Sequence, residues 1–167
     1  MSYFVLASFS ALMVYAAYSD LKSYTLPNFI SLLLVAGFAL IMVILQPPLS
    51  AIGWHVGVGF ILFVIGFALF ATGLFGGGDV KVIAALGLWL GPVNVLPFLT
   101  LMAVFGGVLA LGLIVFRKIK IPSHWQDNSA IAGLHSKEEG IPYGVAISLA
   151  ALIEFPKTEI YLGLSTF

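Results

Sequence analysis

Gln46-Pro47-Pro48-Leu49-Ser50 interrupts a run, residues 23–78, that contains no Asp, Glu, Lys or Arg. A helix crossing a bilayer needs about 20 apolar residues, so this run is too long for one. Consecutive prolines remove backbone donors and stop a helix, which divides the run into spans at about 28–45 and 51–74. The same reading extends in both directions. Before it, residues 1–19 are uncharged and form a first span, closed by the polar segment Asp20-Leu21-Lys22-Ser23-Tyr24-Thr25. After it, Phe75-Gly76-Gly77-Gly78-Asp79 leads to Lys81, and the uncharged run 82–116 carries a turn signal at Gly91-Pro92-Val93-Asn94. That signal separates spans at about 80–90 and 95–116; residues 117–140 form a polar loop, and about 142–153 a last span. The expected fold is an all-α polytopic membrane protein, a single domain over 1–167 with about six transmembrane helices.

Composition supports lipid as the surrounding solvent. The chain is 61% hydrophobic and 8% charged, with a mean hydropathy of +1.13, whereas soluble domains carry roughly a quarter charged residues. A formal net charge of zero gives no reason to expect a nucleic acid partner. The absence of cysteine excludes disulfides and cysteine-ligated zinc, and the three histidines lack the i, i+4 spacing of a helical metal site. No metal or cofactor is expected. The first basic residue, Lys22, follows the first apolar run, which reads as a retained helix rather than a signal peptide.

Basic residues orient the chain. Lys22, Lys81 and the Arg117, Lys118, Lys120 group fall on one side of a six-span arrangement, and the loops 46–50 and 91–94 carry no charge. Because Lys and Arg favour the cytoplasmic side, the N-terminus is expected outside and the charged loops inside. Span four is short, about 15–17 Å against a hydrocarbon core of about 30 Å, which is expected to sink Asp79 below the cytoplasmic surface.

Asp20 and Asp79 stand out among the seven acids. Each sits where an apolar run meets a short polar break, and two intervening spans return them to the same side. The other five, Asp127, Glu138, Glu139, Glu154 and Glu159, lie in the polar loop or near the C-terminus and read as solvated. Two carboxylates at close range in low dielectric cannot both ionise readily, so one holds a proton that the other lacks. That pairing suits peptide hydrolysis, with one carboxylate taking a proton from water and the other stabilising the oxyanion. Gly76, Gly77 and Gly78 permit positive φ and close backbone approach, room for an extended substrate. A plainer reading remains open, in which Asp79 caps a helix and Asp20 is a polar loop residue beside Lys22.

These pieces together resemble the prepilin peptidase family, membrane proteases with a Gly-x-Gly-Asp motif. The motif here is Gly76-Gly77-Gly78-Asp79, continued by Val80-Lys81; Asp20, Lys22 and Leu26-Pro27-Asn28 match the first aspartate's surroundings, with Leu for the usual Ile. Ile141-Pro142-Tyr143-Gly144, opening the last span, is a third match. The resemblance implies that Asp20 and Asp79 are catalytic, with Gly76, Gly77, Gly78, Lys81, Pro142, Tyr143 and Gly144 supporting them or binding substrate. It implies an aspartic endopeptidase of the bacterial inner membrane that cuts the short basic leader from a prepilin or pseudopilin after a glycine, ahead of the pilin's apolar helix. The longer relatives carry a cysteine-rich insert and also methylate the new N-terminus. Without cysteine, and without room for the insert between Ser19 and Leu26, this chain resembles the short, peptidase-only form of tight-adherence (Flp) pilus systems, and no methyltransferase activity is expected. Glu138 and Glu139 are candidates for attracting the basic leader, beside the plainer reading of a solvated loop balanced by Lys137. A small proton-coupled transporter and a non-catalytic subunit of a pilus or secretion assembly are the competing readings. The sequence leaves oligomeric state and the particular substrate open.

Overall fold

The computed structural model describes residues 1–119, 133–136 and 140–164. Glu138, Glu139 and most of the 117–140 loop lie outside these residues. The described chain is helical, with the order α1 (Ser2–Ser23), α2 (Asn28–Leu45), α3 (Leu49–Ala71), α4 (Gly77–Phe116), α5 (Tyr143–Glu154), a 3-10 turn (Phe155–Lys157) and α6 (Glu159–Leu164). Among them α1 to α4 are long and apolar enough to cross a membrane.

Local chemistry sets the boundaries. Tyr24 and Gln46 close α1 and α2 in left-handed conformations (φ 52 and 45), and their amides donate to Asp20 O and Met42 O. Proline follows each stop: Pro27 disfavours helix at Leu26, and Pro47 and Pro48 keep α2 from running into α3. Gly73 (φ 78) ends α3 in the same way. Asp20 is not in a loop after the first span but in the last turn of α1, where it is 3% exposed. Gly77, Gly78 and Asp79 are helical, because α4 opens at Gly77 rather than near residue 80.

The 40-residue α4 is not one rod: Gly91 (φ 61, ψ −172) breaks it into legs 77–90 and 92–116. The legs run in opposite directions. Gly78 meets Leu26, and Gly106 meets Tyr143, toward one end of the bundle; Gly91 meets His55, and Asn94 meets Glu154, at the other. The expected four-residue turn is therefore a reversal at one residue, after which Pro92 occupies the first helical position, where its missing N–H costs nothing.

Packing uses small residues where backbones meet. A Cβ on Gly87 would lie 2.7 Å from Leu62 Cδ1 and 3.1 Å from the Gly59 Cα, so α3 and the first leg of α4 approach backbone to backbone. The core behind them stacks Phe9, Trp89 and Phe155, with Phe9 and Phe155 ring centroids 4.0 Å apart. Leu86, Ile147 and Ala150 fill the space between with no exposed surface. α1 lies against α5 rather than along α2, which brings the C-terminal end of α1 to the start of α5.

Glu154, expected to be solvated, is 3% exposed. It pairs with Lys157 at 2.7 Å and accepts from Asn94 Nδ2 at 3.4 Å, tying the end of α5 to the α4 reversal.

Candidate active site

Asp20 and Asp79 come together at one end of the bundle. α1 delivers Asp20 from its last turn, and α4 delivers Asp79 from its first. Gly144 lies against Asp20, and Tyr143 beside it meets the ring of Phe75, which leads into the glycine run and Asp79.

Asp20 is fixed by α5. The Gly144 amide donates to Asp20 Oδ2 at 2.6 Å. Pro142, the residue preceding α5, has no side chain able to cap it, so Asp20, 124 positions before Gly144, satisfies the orphan Gly144 N–H of its first turn. Gly144 has to be glycine for this. A Cβ there would lie 2.8 Å from Asp20 Oδ2 and 3.0 Å from Asp20 Cβ.

Asp79 is the third residue of α4, and its Oδ2 lies back over Gly76 at the N-cap, 2.9 Å from where a Cβ would stand. This is the reach that an acidic side chain at the third position makes in a capping box. Gly76, Gly77 and Gly78 serve close approach, not unusual dihedrals: none has positive φ. Gly78 is the tight position, since a Cβ there would lie 2.8 Å from the Leu26 carbonyl oxygen. Gly77 faces the Phe70 ring, and Gly76 lies under Asp79 Oδ2.

Neighbouring side chains lock these elements. Lys81 Nζ donates to Asn28 Oδ1 at 2.8 Å, joining the start of α4 to the start of α2. Asn28, the third residue of Leu26-Pro27-Asn28, carries no local sequence signal of its role as acceptor for Lys81. Tyr143 wedges between the Phe75 ring, 5.7 Å away and edge-on, and Gly106 on the second leg of α4, where a side chain would collide with the Tyr143 hydroxyl. Pro142 is buried. Arg117 donates to Leu134 O (3.0 Å) and Gly140 O (2.9 Å), drawing in the chain that leads to α5.

Two carboxylates gathered at one end of an apolar bundle, one of them held by a backbone amide, suit the sharing of one proton and the activation of a water molecule. Among the described residues no group of three His, Cys, Asp or Glu side chains could hold a metal ion.

Comparison with known proteins adds one match. The model of the type IV leader peptidase family covers residues 7–111, which takes in Asp20, α2, α3, the glycine run and Asp79, and ends ahead of Tyr143 and Gly144. No curated protein and no solved structure matches the chain significantly.

Proposed function

This chain belongs to the type IV leader peptidase family, and from that premise we propose that Asp20 and Asp79 cut the short basic leader from Flp-like type IV prepilins or pseudopilins. The reading places the protein in the bacterial inner membrane with six crossings: α1, α2, α3, the two legs of α4, and α5. The N-terminus is outside, and the aspartates face the cytoplasm.

The observation that carries the reading is the convergence of Asp20 from the last turn of α1, held by the Gly144 amide, and Asp79 from the first turn of α4. In the reaction, the ionised aspartate accepts a proton from water as the oxygen attacks the scissile carbonyl, and the protonated aspartate donates a hydrogen bond to the developing oxyanion. Collapse of the tetrahedral intermediate returns a proton to the leaving amine, and the pair ends with the one proton it began with. Lys81, Tyr143 and Gly144 position the carboxylates through Asn28, Phe75 and the α5 amides. Methyl transfer is not part of the proposal.

Incubating the purified protein with a synthetic prepilin tests it, scored by the mass lost with the leader. The wild type should release the leader. Asp20→Asn and Asp79→Asn should each stop release while the protein still inserts. Cleavage by either variant at the wild-type rate removes the proposal.

A further inference from the structure

We infer that the groove between α1 and α2 seats the apolar helix of the leader-bearing substrate, an inference that rests on the peptidase reading above. The groove is a cavity of about 640 Å3, lined from Phe4 to Tyr15 on α1 and from Phe29 to Ile41 on α2. It exists because α1 packs on α5 and α2 on α4, so two consecutive helices diverge. Trp89 closes the back. Its Nε1 donates to Leu34 O at 2.9 Å and its ring meets Phe9 edge-on at 5.8 Å, which makes the floor fixed rather than collapsible.

Position relative to the aspartates identifies the occupant. Tyr15 lies little more than one turn before Asp20, and Phe29 follows Asn28, the residue that holds Lys81 beside Asp79. The Tyr15 and Phe29 rings, 5.5 Å apart, meet at the end of the groove toward the site, so a bound helix parts them on its way to the carboxylates. From Tyr15 back to Phe4 the groove follows α1 for three turns, about 16 Å. A peptide at this depth has no water to satisfy its backbone and must be helical. The small, exposed Ala11 lets another helix come close, which is what drives helix association in lipid, while Gly37 makes room for the Trp89 ring behind the groove. A substrate cut immediately ahead of its apolar helix would place that helix in the groove and its scissile bond at the carboxylates. A lipid acyl chain is the competing occupant.

The test uses a synthetic precursor with a basic leader, a glycine and an apolar helix, and the Asp79→Asn protein to retain it. A benzophenone side chain is placed at position 11, in the groove, or at position 64, on the exposed face of α3. The expected result is at least fivefold more precursor crosslinked from position 11. Equal yields, or lipid adducts alone from position 11, overturn the inference. In parallel, Ala11→Trp in the otherwise wild-type protein should raise KM for the precursor about tenfold with a smaller change in kcat, and an unchanged KM overturns it as well. Wild-type cleavage of the same precursor is measured alongside. Absence of cleavage sinks the peptidase reading, whereas cleavage with no bias toward position 11 sinks the groove alone.

Discussion

Asp20 is a helix cap and an acid at once, and the two roles separate by substitution. Its bond from the Gly144 amide, 2.6 Å long, is one that asparagine makes as well, since Asn and Asp cap helices about equally. Asp20→Asn should therefore keep α5 in place and remove the ionisable group. The expected outcome is an inserted protein, with an unchanged unfolding midpoint in detergent, whose leader cleavage falls about 10²–10⁴-fold, the contribution typical of a general acid or base. Activity within threefold of wild type would leave Asp20 a cap only. Gly144→Ala makes the converse change, keeping the acid but placing a methyl 2.8 Å from its oxygen. Overpacking of this kind costs about 1–3 kcal/mol, so the midpoint should drop together with cleavage, and a wild-type midpoint would show that α5 shifts freely. Both aspartates are visible in the sequence as charges at the edges of uncharged runs. The placement of Asp20 inside α1 is not, because what draws it into the helix and out of water is an amide 124 residues away, and no local pattern encodes that partner.

At the scale of elements, α4 depends on one residue. Gly91 adopts φ 61 and ψ −172, a region essentially reserved for glycine, and a Cβ there would lie 2.5 Å from His55 Cε1. His55 itself is anchored by Nδ1 at 2.7 Å from Leu88 O, so it cannot step aside without losing that bond. Gly91→Ala should lower stability by at least the backbone strain of about 1–3 kcal/mol, read as a fall in the unfolding midpoint; a neutral result would mean that the legs of α4 do not reverse there. The end of α5 is tied to the same reversal by Glu154. Truncation to Ala would leave the buried Asn94 amide without its acceptor, at a cost of about 1–3 kcal/mol. Lys157→Met should cost more, about 3–5 kcal/mol, because it leaves the Glu154 carboxylate, 3% exposed, without its ion-pair partner. Similar losses for the two variants would contradict this ordering. Gly91-Pro92 is legible as a break, but its length is not: glycine and proline dipeptides mark longer turns as readily, and here Pro92 restarts the helix at once. Glu154 misleads for a related reason, since a carboxylate at the end of an apolar run reads as the start of solvent until Asn94 folds back to meet it.

At the scale of the molecule, the span boundaries follow from hydropathy and proline, whereas the choice of neighbours does not. In a soluble bundle the buried face of each helix is marked by its contrast with a polar face. Here the outward face is as apolar as the inward one, so nothing in the α1 sequence announces that it packs on α5 and leaves a groove beside α2. The expectation for direction across the membrane rests instead on the basic residues, and contacts such as Asp20–Gly144, Gly78–Leu26 and Arg117–Gly140 gather Lys22, Lys81 and Arg117 toward one end. If basic residues face the cytoplasm, Leu49 and Val93, exposed near the opposite end, face outward. The chain has no cysteine, so single cysteines can be introduced without background. With a membrane-impermeant maleimide on intact spheroplasts, Leu49→Cys and Val93→Cys should label at once, and Lys22→Cys only after lysis. The reverse pattern would put both aspartates on the outer face, out of reach of a leader that is still in the cytoplasm, and the peptidase reading would fail on geometry even with both carboxylates in place.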